Sequence, residues 1–231
     1  MTIEATPLPS VARALIPGQR PGTLRVLAVT ARPGQESADL GGLLYAFRRS
    51  GASLSLLCLT RGSAAGQSPR NERLEAARPW EVQMAAAILG VRQVSVADYR
   101  DARLHRYRVA DLAGRIQQAA EEYAADLILI IAPETGNLGD AAVARAATAA
   151  ALAVGVPVAG RTRQGVSGAW QLDLREDADA ARSLQRSAVA EHVTQADVLP
   201  ELLRRVDRLH SVEALRWLLS PARVPRQRVI P

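Results

Sequence analysis

Four stretches of the chain are apolar at successive positions rather than at alternate ones: Leu24 to Thr30, Ser53 to Thr60, Gln93 to Ala97 and Asp126 to Ala132, the last reading DLILIIA. A strand with one wet face alternates apolar and polar side chains, so unbroken runs predict strands covered on both faces, as in a parallel sheet. Helical patterns lie between them, at Ala38 to Ser50, Pro79 to Leu89, Val109 to Ala124 and Ala141 to Ala153. Each is long enough to cross from one parallel strand to the next. Beyond Gly155 the pattern predicts strands at Val156 to Ala159 and Ala169 to Leu174, and helices at Asp179 to Glu191 and Val198 to Leu219.

This alternation predicts an α/β fold: a Rossmann-like doubly wound, mostly parallel sheet with helices on both faces and right-handed connections. Residues 1–22 carry prolines and little periodicity, and read as an arm. Residues 23–220 read as one α/β domain, and residues 221–231 as a basic, proline-containing tail.

Composition narrows the partners. Apolar residues make up 48 % of the chain but aromatic residues only 3 %, so the core is expected to be Leu, Val, Ile and Ala. All 29 basic residues are Arg, against 23 acidic ones. Outside the segment Arg223 to Arg228 the sequence shows no clustering of Arg with aromatic residues, so a nucleic-acid partner is not expected. The lone Cys58 sits in the apolar run LSLLCLT and suits a reducing cytoplasm. No cleaved signal and no membrane partner are expected, because the aliphatic stretch around Ala141 to Ala159 is interrupted by Arg145 and reaches Pro157.

The first strand runs into a short polar cluster, Arg32-Pro33-Gly34-Gln35-Glu36, and then into a helix carrying Gly41-Gly42. Ligands of open α/β sheets sit at the carboxyl ends of the strands, which makes this cluster the first candidate site. The glycines do not form a GxGxxG phosphate fingerprint, and a dinucleotide site is the weaker reading.

Several phrases, in order, resemble those of the PIG-L/LmbE family of zinc-dependent N-deacetylases of amino sugars and related glycoconjugates. ARPGQESADLGG resembles the family's AHPDDE followed by Gly-Gly, and LTRGSAAG at Leu59 to Gly66 resembles LTRGEAG. Arg78, Glu81 and the run Ala85 to Val91 resemble a family helix ending in LGV, and DYRDARL at Asp98 to Leu104 resembles DYPDGRL. GNLGDAAVARAA from Gly136 to Ala147 resembles GHPDHRAVARAA, and AEHVTQ from Ala190 to Gln195 resembles AHxSQ. The resemblance covers roughly residues 24 to 219 and implies the deacetylase fold.

What it implies for the chemistry is different. Arg32 falls where the family has its first zinc ligand, Gly34 at the general base and Gln35 at the second ligand. Asn137 falls at the oxyanion-stabilising His and Asp140 at the third ligand. Arginine has no lone pair to give a metal and glycine cannot take a proton. The expectation is therefore a family member without zinc, without another cofactor and without family-type amide hydrolysis, in which the Arg32 guanidinium pairs with Asp140 in place of the metal.

The expected ligand is a small polar or sugar-like molecule held by Arg32, Glu36, Arg78, Asp101, Asn137, Asp140 and His192. Each has a plainer role as well. Glu36 and Ser37 suit helix capping equally, Asp101 suits fixing its turn, and His192 suits structural packing. His105 and His210 read as surface or packing residues. Two competing readings remain at this level. One is a hydrolase using Mg²⁺ or Mn²⁺ on Asp140, Glu36 and Asp101. The other is a homo-oligomeric regulatory subunit, since the family forms trimers and hexamers.

Overall fold

β1 (Arg25–Thr30) lies in the interior of the sheet, between β2 (Ser53–Thr60) on one side and β4 (Leu127–Ile131) on the other, both parallel to it. The computed structural model describes residues 24–62, 72–209 and 211–224. The arm 1–22, tail residues 225–231 and His210 lie outside them. β3 (Gln93–Tyr99) extends the sheet beyond β2 and β5 (Val158–Thr162) beyond β4, giving five parallel strands. β7 (Val212–Leu219) and β6 (Trp170–Asp173) close the far edge antiparallel, for a strand order β3-β2-β1-β4-β5-β7-β6.

The two faces are covered as the unbroken apolar runs require. Val26 and Ala28 point to one face, under α2 (Gly41–Arg49), α3 (Glu72–Ile88) and α6 (Ala178–Ala190). Leu27 and Val29 point to the other, under α4 (Val109–Glu122) and α5 (Leu138–Val154). Small α5 residues such as Ala146 and Ala150 let that helix lie close on the sheet. Burying each large aliphatic side chain contributes about 1.5–3 kcal/mol. Among the described residues no helix is long and apolar enough to cross a membrane.

Three elements differ from the sequence pattern. The helix expected over Ala38 to Ser50 is two pieces, α1 (Gln35–Ala38) and α2, with the break at Asp39 and Leu40. α3 does not start at Pro79 but runs through it from Glu72. Tertiary anchors from Arg78 and Glu81 bracket the proline and hold the helix across the lost hydrogen bond. The expected helix from Val198 to Leu219 is α7 (Leu199–Asp207) followed by strand β7. Glu213, only 2 % exposed, disguised that strand: it is a charge at a core position, tolerated because Arg182 Nη1 donates to it at 2.7 Å. Gly41 and Gly42 serve this cluster. A Cβ on Gly42 would meet Glu213 and lie 2.6 Å from Arg182 Nη1, and one on Gly41 would lie 2.6 Å from Gln185.

With β1 paired to both β2 and β4, the chain leaves β1 in one direction and returns at β4 in the other. The gap between their carboxyl ends is the topological switch point at which such sheets bind ligands.

Candidate functional site

The loop after β1 is folded back on the strand by one side chain. Gln35 Oε1 accepts from the backbone N–H of Ala31 at 3.0 Å and of Arg32 at 3.2 Å. Gly34 holds the left-handed conformation, φ 90°, and a Cβ there would lie 2.9 Å from Leu202 Cδ1. Glycine is thus required twice over, by backbone and by space. In this conformation the Gly34 N–H points to the Glu36 carboxylate, at 3.0 and 3.2 Å from its two oxygens.

Across the switch point α5 begins at Asn137, whose Oδ1 caps the helix by accepting from Gly139 N–H at 2.8 Å and Asp140 N–H at 3.2 Å. Asp140, 4 % exposed, accepts from Gln35 Nε2 at 2.8 Å. The Gln35 amide, rather than the Arg32 guanidinium expected there, therefore meets Asp140 and ties the first and fourth strand ends together, showing Asp140 an N–H rather than a lone pair. Among the described residues no three His, Cys, Asp or Glu side chains come together as a metal ion would need.

A second carboxylate, Asp39, lies buried beside this pair, with Arg205 Nη1 2.9 and 3.0 Å from its oxygens. Burial raises its pKa, and the charge of Asp140 adds to the rise. The charges of Arg205, Arg161 and Arg32 oppose it without cancelling it.

Below the loop, Glu36 and His192 form a wholly buried pair, with Nε2 2.7 Å from Oε1. Ser37 Oγ donates to the same Glu36 oxygen at 3.0 Å, and Gln195 Nε2 stands 3.3 Å from His192 Nδ1. Burial, the largest single influence, lowers the His192 pKa. The charge and hydrogen bond of Glu36, with the charges of Glu81 and Glu191, outweigh it, so the net direction is upward.

Arg78 is buried and spends its donors on the protein. It reaches the carbonyls of Arg61, at 3.3 Å, and Gly62, and Thr194 Oγ1 at 3.4 Å. Glu81 accepts from the N–H and Oγ1 of the same Thr194 at 2.7 and 2.8 Å. These two residues fasten the end of β2 to the turn that follows α6.

A cavity of about 720 Å³ opens above the switch point. Of the residues expected to touch a ligand, Arg32, Asp101 and Asn137 line it, and so does Gln35. Asp140 stands behind Gln35, Glu36 and His192 lie beneath, and Arg78 is to the side. Asp140, Glu36 and Asp101, the oxygen set of the alternative metal reading, do not converge. The sequence pattern passed over His105, Asp197, Glu201 and Arg205, which also line the cavity. His105 follows Asp101 on the turn after β3. Glu201 and Arg205 stand four residues apart on α7, inside the segment the sequence pattern predicts as a helix from Val198 to Leu219.

The comparisons with known proteins agree with this architecture. The family model described as PIG-L: GlcNAc-PI de-N-acetylase matches residues 27–152. This chain belongs to the PIG-L family. A curated relative from Bacillus anthracis, named a probable N-acetyl-alpha-D-glucosaminyl L-malate deacetylase 2, is 32 % identical over 113 residues. That match covers 47 % of this chain and 50 % of the relative, so the shared region spans about half the length of the curated protein. A solved deacetylase from the teicoplanin biosynthesis pathway superposes with a TM-score of 0.64 at 17 % identity, covering 84 % of this chain and 96 % of that one. The hydratase GalB from Pseudomonas putida, titled as acting on 4-carboxy-2-hydroxymuconate, superposes with 0.62 at 18 % identity, covering 85 % and 96 %. Structures that superpose on this chain are thus titled with two different activities, a deacetylase and a hydratase.

Proposed function

We propose that this PIG-L family chain binds a small polar, sugar-like molecule in the 720 Å³ cavity and neither holds zinc nor hydrolyses amides. One observation carries the reading. Gln35 directs an N–H at Asp140, and it stands in the loop between Arg32, which has no lone pair, and the buried Glu36. A catalytic zinc needs three lone-pair donors from the protein and a water beside a base. Gly34, at the family's base position, is fixed by backbone and packing as glycine. Loss of a general base alone costs about 10² to 10⁴ in rate. In this reading the fixed charge of Arg32 and the Gln35 amide take over the balancing of Asp140 and Asp39 that a dication would supply.

The cavity itself suits a hydroxyl-rich ligand. Asp101, Asp197 and Glu201 offer acceptors at its wall, Arg32 and Arg205 offer donors, and Leu202 and Leu138 supply apolar surface. The solved hydratase supports separating fold from chemistry, because a shared fold does not fix the reaction. An active deacetylase of N-acetylated sugars, the competing reading, draws its support from the named activity of the curated relative.

The test is metal analysis of purified protein, together with acetate release from N-acetylglucosamine and saturation-transfer NMR with the same sugar. The expected result is saturable sugar binding with neither stoichiometric zinc nor acetate. One zinc per chain with acetate released would overturn the proposal, and absence of sugar binding would overturn its ligand.

A further inference from the structure

The segment from Arg100 to Tyr107 folds as a 3₁₀ turn over Asp101–Arg106, and this decides where its arginines go. A 3₁₀ helix has three residues per turn, so side chains at i, i+3 and i+6 stand in line. On an α-helix the same spacing would fan them across about 120°. Arg103 and Arg106 have this spacing within the turn, Arg100 stands three residues earlier at its extended N-cap, and together with Tyr107 they line a concavity of about 300 Å³. Ala102 and His105 point the other way, into the larger cavity, and Leu104 is buried. The reading that arginines cluster with aromatic residues only in the tail is thereby corrected: Arg100, Arg103, Arg106 and Tyr107 lie within one eight-residue stretch, and the turn puts them on one wall.

We infer that this pocket is a phosphate-binding site, distinct from the cavity at the switch point. Among the described residues none of the three guanidiniums has an ion-pair or side-chain hydrogen-bond partner. The nearby carboxylates are engaged elsewhere. Asp111 is held by Arg108, with Nη2 2.7 Å from Oδ1, Asp98 lies 3.4 Å from Arg61, and Asp101 lines the opposite face of the turn. Three like charges are thus drawn together with no counter-charge from the described residues.

Tyr107 braces the wall they share. Tyr107 packs edge-on against Tyr99 with ring centroids 5.0 Å apart, and its hydroxyl accepts from Arg100 N–H at 3.3 Å. Three guanidiniums in a row, each able to donate two parallel N–H groups, match the several oxygens of a phosphate better than the two of a carboxylate. A concavity of this size admits a phosphate group and is too small for a duplex.

The source of the phosphate is decided by titration calorimetry of the full chain with inorganic phosphate and with glycerol 3-phosphate, in low-salt buffer. Both probes are repeated on Arg103→Gln and on Arg108→Gln, whose arginine is already paired. Binding of either probe, weakened about tenfold or more in R103Q and unchanged in R108Q, is expected. Binding of inorganic phosphate alone assigns the free ion, and tighter binding of the ester assigns a phosphorylated ligand. No binding of either probe at millimolar concentration, or equal loss in R103Q and R108Q, would overturn the inference. So would binding of a single-stranded oligonucleotide with neither small probe bound. Thermal melts of both variants matching the parent exclude misfolding as the cause, and because no switch-point residue is altered the result is independent of sugar binding.

Discussion

His192 Nε2 and Glu36 Oε1 stand 2.7 Å apart with both side chains wholly buried, 156 residues apart in the chain. The pair fastens the turn after α6 to the loop after β1, directly below the candidate site. The His192 pKa is raised in the folded state, so its contribution to stability is complete below the unfolded value of about 6.5 and is lost as pH rises through the folded pKa. Urea denaturation across this range is expected to show stability declining with pH, at no more than about 1.4 kcal/mol per pH unit. In Glu36→Gln the main upward influence is gone and burial wins. The slope then reverses, and stability is lost as pH falls through a depressed His192 pKa. Breaking a buried pair also costs about 3–5 kcal/mol, so E36Q is expected to be the weaker protein at every pH. A parent and a variant sharing the same slope would exclude His192 as its source.

Gly34→Ala tests whether the family's base position is closed to side chains. The left-handed backbone costs a non-glycine residue about 1–2 kcal/mol, and the new Cβ meets Leu202 Cδ1 at 2.9 Å. Thermal unfolding of G34A is expected to fall accordingly. Leu202→Ala added to it is expected to cost less than the sum of the two single changes, because it removes the contact but not the strain. Strict additivity would show that the Leu202 contact is irrelevant.

Gly42→Ala should be more damaging. Its Cβ would enter the space shared by Glu213 and Arg182 Nη1, and neither charge has water to retreat into. A loss of about 3 kcal/mol or more is expected in urea denaturation, the cost of separating a buried ion pair. A parent-like midpoint would mean that the α2 backbone shifts freely, against the close packing seen here.

The parts of this molecule that read plainly from sequence are those set by local rules. The DLILIIA run could only be a strand covered on both faces, and it became β4 at the centre of the sheet. The Gly-Gly pair and the polar cluster after β1 were visible as a site because sheet topology puts ligands there. What stayed hidden depended on distant partners. β7 was concealed by Glu213, whose charge makes sense beside Arg182, 31 residues away, and Arg161. Arg205, on α7, owes its place at the site to Asp39, 166 residues earlier. Arg100, Arg103 and Arg106 sit in one short stretch, but that they share a wall depends on three residues per turn over Asp101–Arg106 rather than 3.6, which the side chains do not announce.

Gln35→Glu puts the central relationship of the site to the test. The parent amide donates to Asp140 at 2.8 Å while its oxygen accepts from the N–H groups of Ala31 and Arg32. A glutamate keeps the accepting oxygen and presents a second one to the Asp140 carboxylate. Two carboxylates in contact cannot both ionise, so the pair must take up a proton with a raised pKa. A rise of two units corresponds to about 3 kcal/mol of stability, present at low pH and lost as pH rises through the raised value. Q35E is therefore expected to approach the parent near pH 4 and to fall well below it at pH 7 in urea denaturation. A divalent cation would relieve the same repulsion, so millimolar Mn²⁺ is expected to raise the melting temperature of Q35E at pH 7 and leave the parent unmoved. Gln35→Leu, which removes the hydrogen bond without adding charge, should be destabilised at both pH values and respond to no metal. If Q35E matches the parent at pH 7, or if the parent itself responds to Mn²⁺, Gln35 is not standing where a cation would otherwise be needed.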